Sequence, residues 1–373
     1  MNVSITSEKL DQLREFLSSE TFSDRSDISY SEYWKDHASR MSLELGNSFV
    51  DISGESGFYF PEKTLQKLSR RLSKALSSPR QIIIMLTALF RRYFETPRYL
   101  SWEAGFNATM SHSPLTDPDL SPHRINHLRL GGGEGGIYRN TGQIWKEHSK
   151  WSPYPLTDHG IVAYYFINIL HPWIDHKRTN NILEIGGGTG NLASIICHKL
   201  TPKIFFMVDL PESIVNAFIF LSSVFPQAKI ILPDAFEASS GILSESPSVG
   251  GITPTFVFLT PWQINLLPSD YFDLAVNTHS FQEMKHEQID EYFSLIDRVS
   301  KSDGLFFCVN RVEKIPCNGN SYNEVQHEPP NRFYEYPWRS KNIRLIDEIS
   351  RLHRVCAADD TAIRLEKVVK SHD

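Results

Sequence analysis

The chain has 373 residues, enough for one large domain or two ordinary ones with full cores. Hydrophobic residues make up 40% and charged residues 22%, a globular composition rather than a disordered one. The formal net charge of -6 excludes a general nucleic-acid binder, which needs a basic field.

The N-terminus, MNVSITSEKLDQLREF, is polar and lacks the apolar stretch of a signal peptide. The longest apolar runs, QIIIMLTALF (81–90) and IVAYYFINIL (161–170), are about half a membrane span, so no membrane span is expected. Cys197, Cys308, Cys317 and Cys356 show no C-x-x-C pairing, and neither a disulfide scaffold nor a zinc knuckle is indicated. A cytoplasmic protein is the expectation.

The first 110 or so residues read as helical. PEKTLQKLSRRLSKALSS (61–78) places Leu65, Leu68, Leu72, Ala75 and Leu76 on one face, with Pro61 at its start and Pro79 past its end. The basic residues opposite read as a solvated face. A second helix follows in QIIIMLTALFRRYF. From 111 to 160 Pro, Gly, Ser and His dominate, and the segment reads as loop; its GGGEGG lacks the G-K-[ST] ending of a phosphate loop. A helix from about 157 to 172 leads into the second half. The expected division is a helical, substrate-capping N-terminal domain over 1–155 and a catalytic domain over 156–373.

That second half alternates strands and helices: NILEI, a helix from Asn191 to about Leu200, KIFFMVD, the helix PESIVNAFIFLSSVF, and AKIIL as a third strand. FVFL (256–259), FDLAVN (272–277), the amphipathic HEQIDEYFSLIDRVS, GLFFCVN and TAIRLEKVV follow. Such alternation predicts an α/β fold with a doubly wound, Rossmann-like parallel sheet behind a mostly helical N-terminal domain.

In such a sheet ligands bind at the carboxyl ends of the strands. ILEIGGGTGN (182–191) sets Gly186, Gly187, Gly188 and Gly190 directly behind the first strand, where the chain must turn tightly and a ligand can touch backbone. The dinucleotide fingerprint G-x-G-x-x-G fails at Asn191. Glu184 stands two residues before the first glycine, a carboxylate suited to a cationic ligand. Asp209 ends the second strand, 209 - 190 = 19 residues after Gly190, where a carboxylate can accept both ribose hydroxyls.

ILEIGGGTGNLA, MVDLPE and LAVNTHSFQEM resemble the class I S-adenosylmethionine-dependent methyltransferases and, more narrowly, a bacterial group of sugar O-methyltransferases. The resemblance covers roughly 180–373, with SEYW near residue 31 fitting more loosely. GGGTG with VDLP is similar as well to the aromatic small-molecule O-methyltransferases, whose N-terminal helices dimerise; a homodimer through the N-terminal helices is what that likeness implies. The resemblance implies S-adenosyl-L-methionine as cofactor, held at its amino-acid end by Glu184 and the glycines. It places Asp209 on the ribose, Leu210 beside the adenine, Asp234 and Ala235 near the adenine amino group, and Asn277 at the end of the fourth strand, closing the site.

Methyl transfer from a sulfonium is an in-line displacement that needs alignment and a base. NTHSFQEMKHEQ follows the fourth strand at the right edge. His279 stands where the aromatic O-methyltransferases place their catalytic histidine, and Glu283 is the rival: it could orient His279, bind a substrate hydroxyl or be the base itself. Asn310 and Arg311, ending the next strand, could reach a polar or anionic substrate. No ligand spacing supports a metal. The expected substrate is a hydroxyl of a sugar or sugar-containing small molecule or glycan. An aromatic or peptide natural product is the alternative, and a non-catalytic methyltransferase-like scaffold is a third. A nucleic-acid methyltransferase would offer N-P-P-[YF] where NTHS stands.

Overall fold

The computed structural model describes residues 2–23, 42–46, 49–53, 147–154, 158–175, 179–237, 253–314, 330–350 and 361–370. The chain divides into two compact units. One holds Met1–Phe58, Trp173–Ser350 and Asp359–Asp373; the other holds Tyr59–Pro172 and Arg351–Ala358. The helices predicted over 61–78 and from 81, the SEYW segment, and most of the Pro/Gly-rich stretch from 111 fall outside the described residues.

In chain order the first unit opens with β1 (Asn2–Ser4), α1 (Ser7–Ser18), α2 (Glu20–Ser23), β2 (Ser42–Leu45) and β3 (Phe49–Ser53). Helix α1 starts where the Thr6 hydroxyl accepts the Lys9 N–H, and it buries Leu10, Leu13 and Phe16 at helical spacing. Sequence periodicity predicted helix throughout this region. The structure adds a small antiparallel sheet of order β1-β3-β2. Its strands are three to five residues long and Asn2 pairs with Asp51, so no local pattern announces them. The second unit carries α3 (Asp158–Leu170), which fills the helix predicted there.

The rest of the first unit is built on strands β4 (Asn181–Ile185), β5 (Ile204–Val208), β6 (Ile230–Ile231), β7 (Thr255–Leu259), β8 (Phe272–Thr278) and β9 (Ser300–Arg311). A short pair, β10 (Glu313–Lys314) and β11 (Asn331–Arg332), is followed by β12 (Ile343–Ser350) and β13 (Thr361–Lys367). Eight of these strands form one sheet in the order β12-β13-β9-β8-β4-β5-β7-β6. The pairings from β6 to β9 are parallel; β13 runs antiparallel to β9, and β12 antiparallel to β13. The connecting helices are α4 (Asn191–Leu200), α5 (Pro211–Val224) and α6 (His286–Val299).

Sequence explains most of this. All five residues of β5, IFFMV, are buried, the signature of a parallel strand covered on both faces. Helix α6 buries Ile289, Tyr292, Phe293, Ile296 and Val299, the 3-4 spacing of one apolar stripe. Phe206, at the centre, meets the rings of Phe236, Tyr271 and Phe272 edge-on. Truncating such a side chain to Ala costs about 3–5 kcal/mol.

One neighbour relation departs from the linear reading. AKIIL, the predicted third strand, shrinks to β6 and sits at the sheet edge. The later run FVFL forms β7, which inserts between β5 and β6 with Val208 opposite Leu259 and Ile231 opposite Val257. From β4 the chain moves to β5 on one side, and later to β8 on the other. The strand order therefore reverses between β4 and β8, the crevice where α/β sheets bind ligands.

Candidate active site

The turn after β4 is built from left-handed backbone: Gly186 at φ +73, Gly188 at φ +56 and Gly190 at φ +79. L-residues with side chains rarely adopt such angles. Packing by the protein itself is the first demand on two of these glycines. A Cβ on Gly186 would stand 2.1 Å from the Ser280 Oγ beyond β8. A Cβ on Gly190, which opens α4, would stand 3.0 Å from Leu221 of α5. Gly187 abuts the Met207 side chain. The Gly188 N–H donates to Asp209 Oδ2 at 2.7 Å, so the turn and the end of β5 are locked together.

Asp209 is the hub of this half. Its Oδ1 accepts the Leu210 N–H at 2.7 Å, the Ser213 hydroxyl adds a bond, and its own N–H donates to Leu259 O at 3.1 Å. Burial raises its carboxyl to about 6, against the pull of the bonds from Gly188, Leu210 and Ser213. Glu184 is in harsher surroundings. It is 1% exposed, and its Oε2 has no hydrogen-bond partner among the described residues. Burial, reinforced by the Asp209 charge, raises its carboxyl to about 8. A cation placed between these two groups would let both ionise, which is the chemistry such a pair is suited to receive.

Across the switch point, the end of β8 is held by amides. Asn277 and Asn310 are both fully buried. Asn277 Nδ2 donates to Ile185 O at 2.9 Å and to Ser280 Oγ at 2.5 Å, and Asn310 Nδ2 donates to Asn277 Oδ1 at 2.8 Å. Asn310 Oδ1 accepts the Gln282 N–H, and Gln282 Oε1 accepts the Arg311 N–H at 2.8 Å. On β11, Asn331 Nδ2 donates to the carbonyls of Gln282 at 3.1 Å and Met284 at 2.7 Å. These bonds fix the turn that carries His279, whose φ of +58 lies in the left-handed region although it is not glycine. Its N–H donates to Val309 O at 2.7 Å. A residue in the left-handed region held by so many hydrogen bonds marks a position where geometry is imposed. Glu283, in the same turn, pairs through Oε1 with Lys314 Nζ at 2.6 Å, both side chains mostly buried.

The expected residues therefore fall into three places. Glu184, the glycines, Asp209 and Leu210 converge at the ends of β4 and β5. Asn277, His279, Glu283, Asn310 and Arg311 gather at the ends of β8 and β9, where the Asn310 side chain is spent on Asn277, Gln282 and Cys308. Asp234 and Ala235 lie elsewhere: they are exposed in the short turn after β6, and β7 stands between them and β5. Sequence reasoning did not single out Ser280, Lys314, Asn331, or the Thr260–Gln263 corner after β7. The last had a signal, since TPWQ directly follows an apolar run. Among the described residues no three His, Cys, Asp or Glu side chains are grouped to hold a metal ion. No described helix is long and apolar enough to cross a membrane.

No protein-family model and no curated relative matches the chain. Solved structures do. A SAM-dependent methyltransferase from Methanosarcina mazei is 11% identical, over 54% of this chain and 98% of that one, with a TM-score of 0.34. A phosphoethanolamine N-methyltransferase from Haemonchus contortus, solved with phosphoethanolamine and S-adenosylhomocysteine, is 11% identical over 74% of this chain and 50% of its own, with a TM-score of 0.34. A cyclopropane synthase from Mycobacterium tuberculosis is 9% identical over 50% and 78%, with a TM-score of 0.32. What each of these proteins binds or acts on is a property of that protein.

Proposed function

We propose that the chain is an S-adenosylmethionine-dependent methyltransferase acting on a hydroxyl of a sugar or sugar-containing molecule. The observation that carries the cofactor reading is the buried, partnerless Glu184 carboxylate set behind a left-handed glycine turn and beside Asp209. That donor set fits S-adenosylmethionine: an ammonium group completes Glu184, and ribose hydroxyls can donate to the free lone pairs of Asp209. Bound there, the cofactor supplies an electrophilic methyl group.

The chain's own residues supply alignment and proton removal. His279 stands just past β8, across the switch point from the glycine turn, held by its backbone bond to Val309. A neutral imidazole is the natural base near pH 7, and a sugar hydroxyl, far less acidic than a phenol at about 10, needs one. Glu283 is the weaker candidate because Lys314 already neutralises its carboxylate. The sugar assignment is supported by the resemblance of LAVNTHSFQEM and the segment around it to sugar O-methyltransferases.

Calorimetry tests the first step. S-adenosylhomocysteine should bind at micromolar strength and NAD far more weakly; tight NAD binding with no S-adenosylhomocysteine binding would falsify the reading. Transfer of labelled methyl to sugar acceptors, set beside phenols and peptides, then tests the acceptor class.

A further inference from the structure

The geometry points to Trp262, at the carboxyl end of the inserted strand β7, as the residue that stacks on the base of the bound nucleoside, in place of the Asp234–Ala235 turn after β6. This inference rests on the cofactor reading above and names which surface meets the purine.

The argument is one of lanes. Adjacent strands lie about 4.8 Å apart, and their carboxyl ends form successive lanes along one edge of the sheet. Glu184 and the glycines close the β4 lane, and Asp209 closes the β5 lane. A nucleoside whose ribose sits on Asp209 carries its base one bond further out, into the next lane. That lane belongs to β7, since β5 pairs with β7 along its whole length from Ile204–Thr255 to Val208–Leu259. The two ends are also joined directly, Asp209 N–H to Leu259 O at 3.1 Å. The β6 turn is two lanes away, about 10 Å from β5.

The corner after β7 is prepared as a rigid wall. Thr260 and Gln263 form a reciprocal cap: Gln263 Oε1 accepts the Thr260 N–H at 3.1 Å and its hydroxyl at 2.9 Å, and the Gln263 N–H returns to Thr260 O at 3.0 Å. The remaining donor of Gln263, Nε2, reaches Pro233 O at 2.9 Å. Each polar side-chain atom of the pair is thus already engaged within the protein.

Trp262, between them, is different. It is only partly buried, and among the described residues its indole N–H makes no hydrogen bond and its ring no aromatic or cationic contact. Trp338 shows the contrast: its Nε1 donates to Phe333 O at 2.8 Å, and its ring lies 5.0 Å from those of Phe293 and Phe333. A large, partly exposed ring on a braced corner beside Asp209's strand is suited to serve as a stacking platform. Stacking tolerates any purine, and it is worth about 1–3 kcal/mol per base, some 5- to 150-fold in affinity.

The test is binding rather than turnover. S-adenosylhomocysteine and adenosine are titrated into the full chain and into Trp262→Ala, Trp262→Phe and Asp234→Ala. Trp262→Ala is expected to weaken both ligands by about tenfold or more, by the same factor for each, since each presents the same base. Trp262→Phe should keep most of the affinity, and Asp234→Ala should change it less than twofold. Should Trp262→Ala fail to fold, the fluorescence change on adding S-adenosylhomocysteine decides. It should be present in the natural chain and much smaller in Trp262→Phe, one of the seven tryptophans having been removed; an undiminished change in that variant overturns the inference. Full affinity in Trp262→Ala, with loss in Asp234→Ala or only in Glu184→Gln, also overturns it and leaves the cofactor reading standing. If the natural chain binds neither ligand, the cofactor reading itself falls and this inference with it.

Discussion

The two halves of the carboxyl edge solve opposite problems. At the ends of β4 and β5, Glu184 and Asp209 are buried together and their carboxyls are raised to about 8 and about 6. At the ends of β8 and β9, Asn277, Asn310, Gln282 and Asn331 share a network in which each amide finds partners. The first half leaves a buried carboxylate oxygen without a partner; in the second nearly every amide group is paired, with Asn331 Oδ1 the exception. A site that binds has to leave something unsatisfied, because a group already paired gains nothing from a ligand. A site that positions a base has to leave nothing loose.

The strongest blow to this contrast is Glu184→Gln. Removing the buried charge should weaken S-adenosylhomocysteine binding on the order of a thousandfold, within the 2–5 kcal/mol span for truncating a buried charge pair. The ligand-free protein should at the same time melt several degrees higher, because a desolvated acid has been replaced by a neutral amide. Calorimetry and thermal melts read both; unchanged affinity removes the cationic ligand from this half.

His279→Ala strikes the other half. Turnover should fall roughly a hundredfold or more while S-adenosylhomocysteine affinity stays within about twofold, the expected pattern for a positioned base. Glu283→Gln is the rival arm. If it abolishes turnover and His279→Ala does not, the carboxylate is the base and the strained histidine only shapes the turn.

A pH titration sharpens the contrast without mutation. A ligand that needs Glu184 ionised should bind about tenfold more tightly per unit of pH up to about 8, then level off, with protons released on binding. The stability of the ligand-free protein should run the other way. A carboxyl raised in the folded state favours folding below its ordinary value of 4.5, and that advantage is lost as pH rises toward 8. Asp209, raised from 3.8 to about 6, adds the same sign over the lower part of that window.

The smallest effect belongs to the satisfied half. Asn310→Ala strips the Gln282 N–H of its partner and leaves Asn277 Oδ1 only the long bond from the Phe281 N–H, and should cost about 1–3 kcal/mol of stability. Cofactor affinity should hold. Loss of affinity in this variant instead would mean that the two halves are one coupled unit.

Much of this was legible in the sequence, for local reasons. The glycine turn, Asp209 and the alternating strands and helices are written in patterns of two to fifteen residues, and the strands and helices formed where those patterns ended. The order of strands β6 and β7 was not. Both are short apolar runs, and parallel pairing leaves no local mark of which neighbour takes the edge. Asp234 and Ala235 were expected near the adenine amino group from a position after the third strand; in the structure β7 stands between that strand and β5. Asn310, at a strand end, was expected within reach of a polar or anionic substrate; it is fully buried and bonded to Asn277, 33 residues earlier, a partner that no local pattern announces. The glycines were read as allowing a tight turn and a ligand's approach to the backbone; the turn is there, and Ser280 and Leu221 lie against two of them, contacts that no local pattern announces.

The antiparallel end of the sheet carries a consequence for how the chain assembles. β12 precedes β13 in sequence, yet it joins the sheet only through β13, which lies between it and β9. Ile343–Ser350 therefore lacks its native partner strand until Thr361–Lys367 is in place. Until then β9 is a bare edge, open to pairing with another chain. Closing that edge is a late and non-local event, the slow kind in folding. A chain cut between residues 350 and 361 would not simply lose one strand. It would leave β12 without its partner strand and β9 with an unpaired edge that invites aggregation.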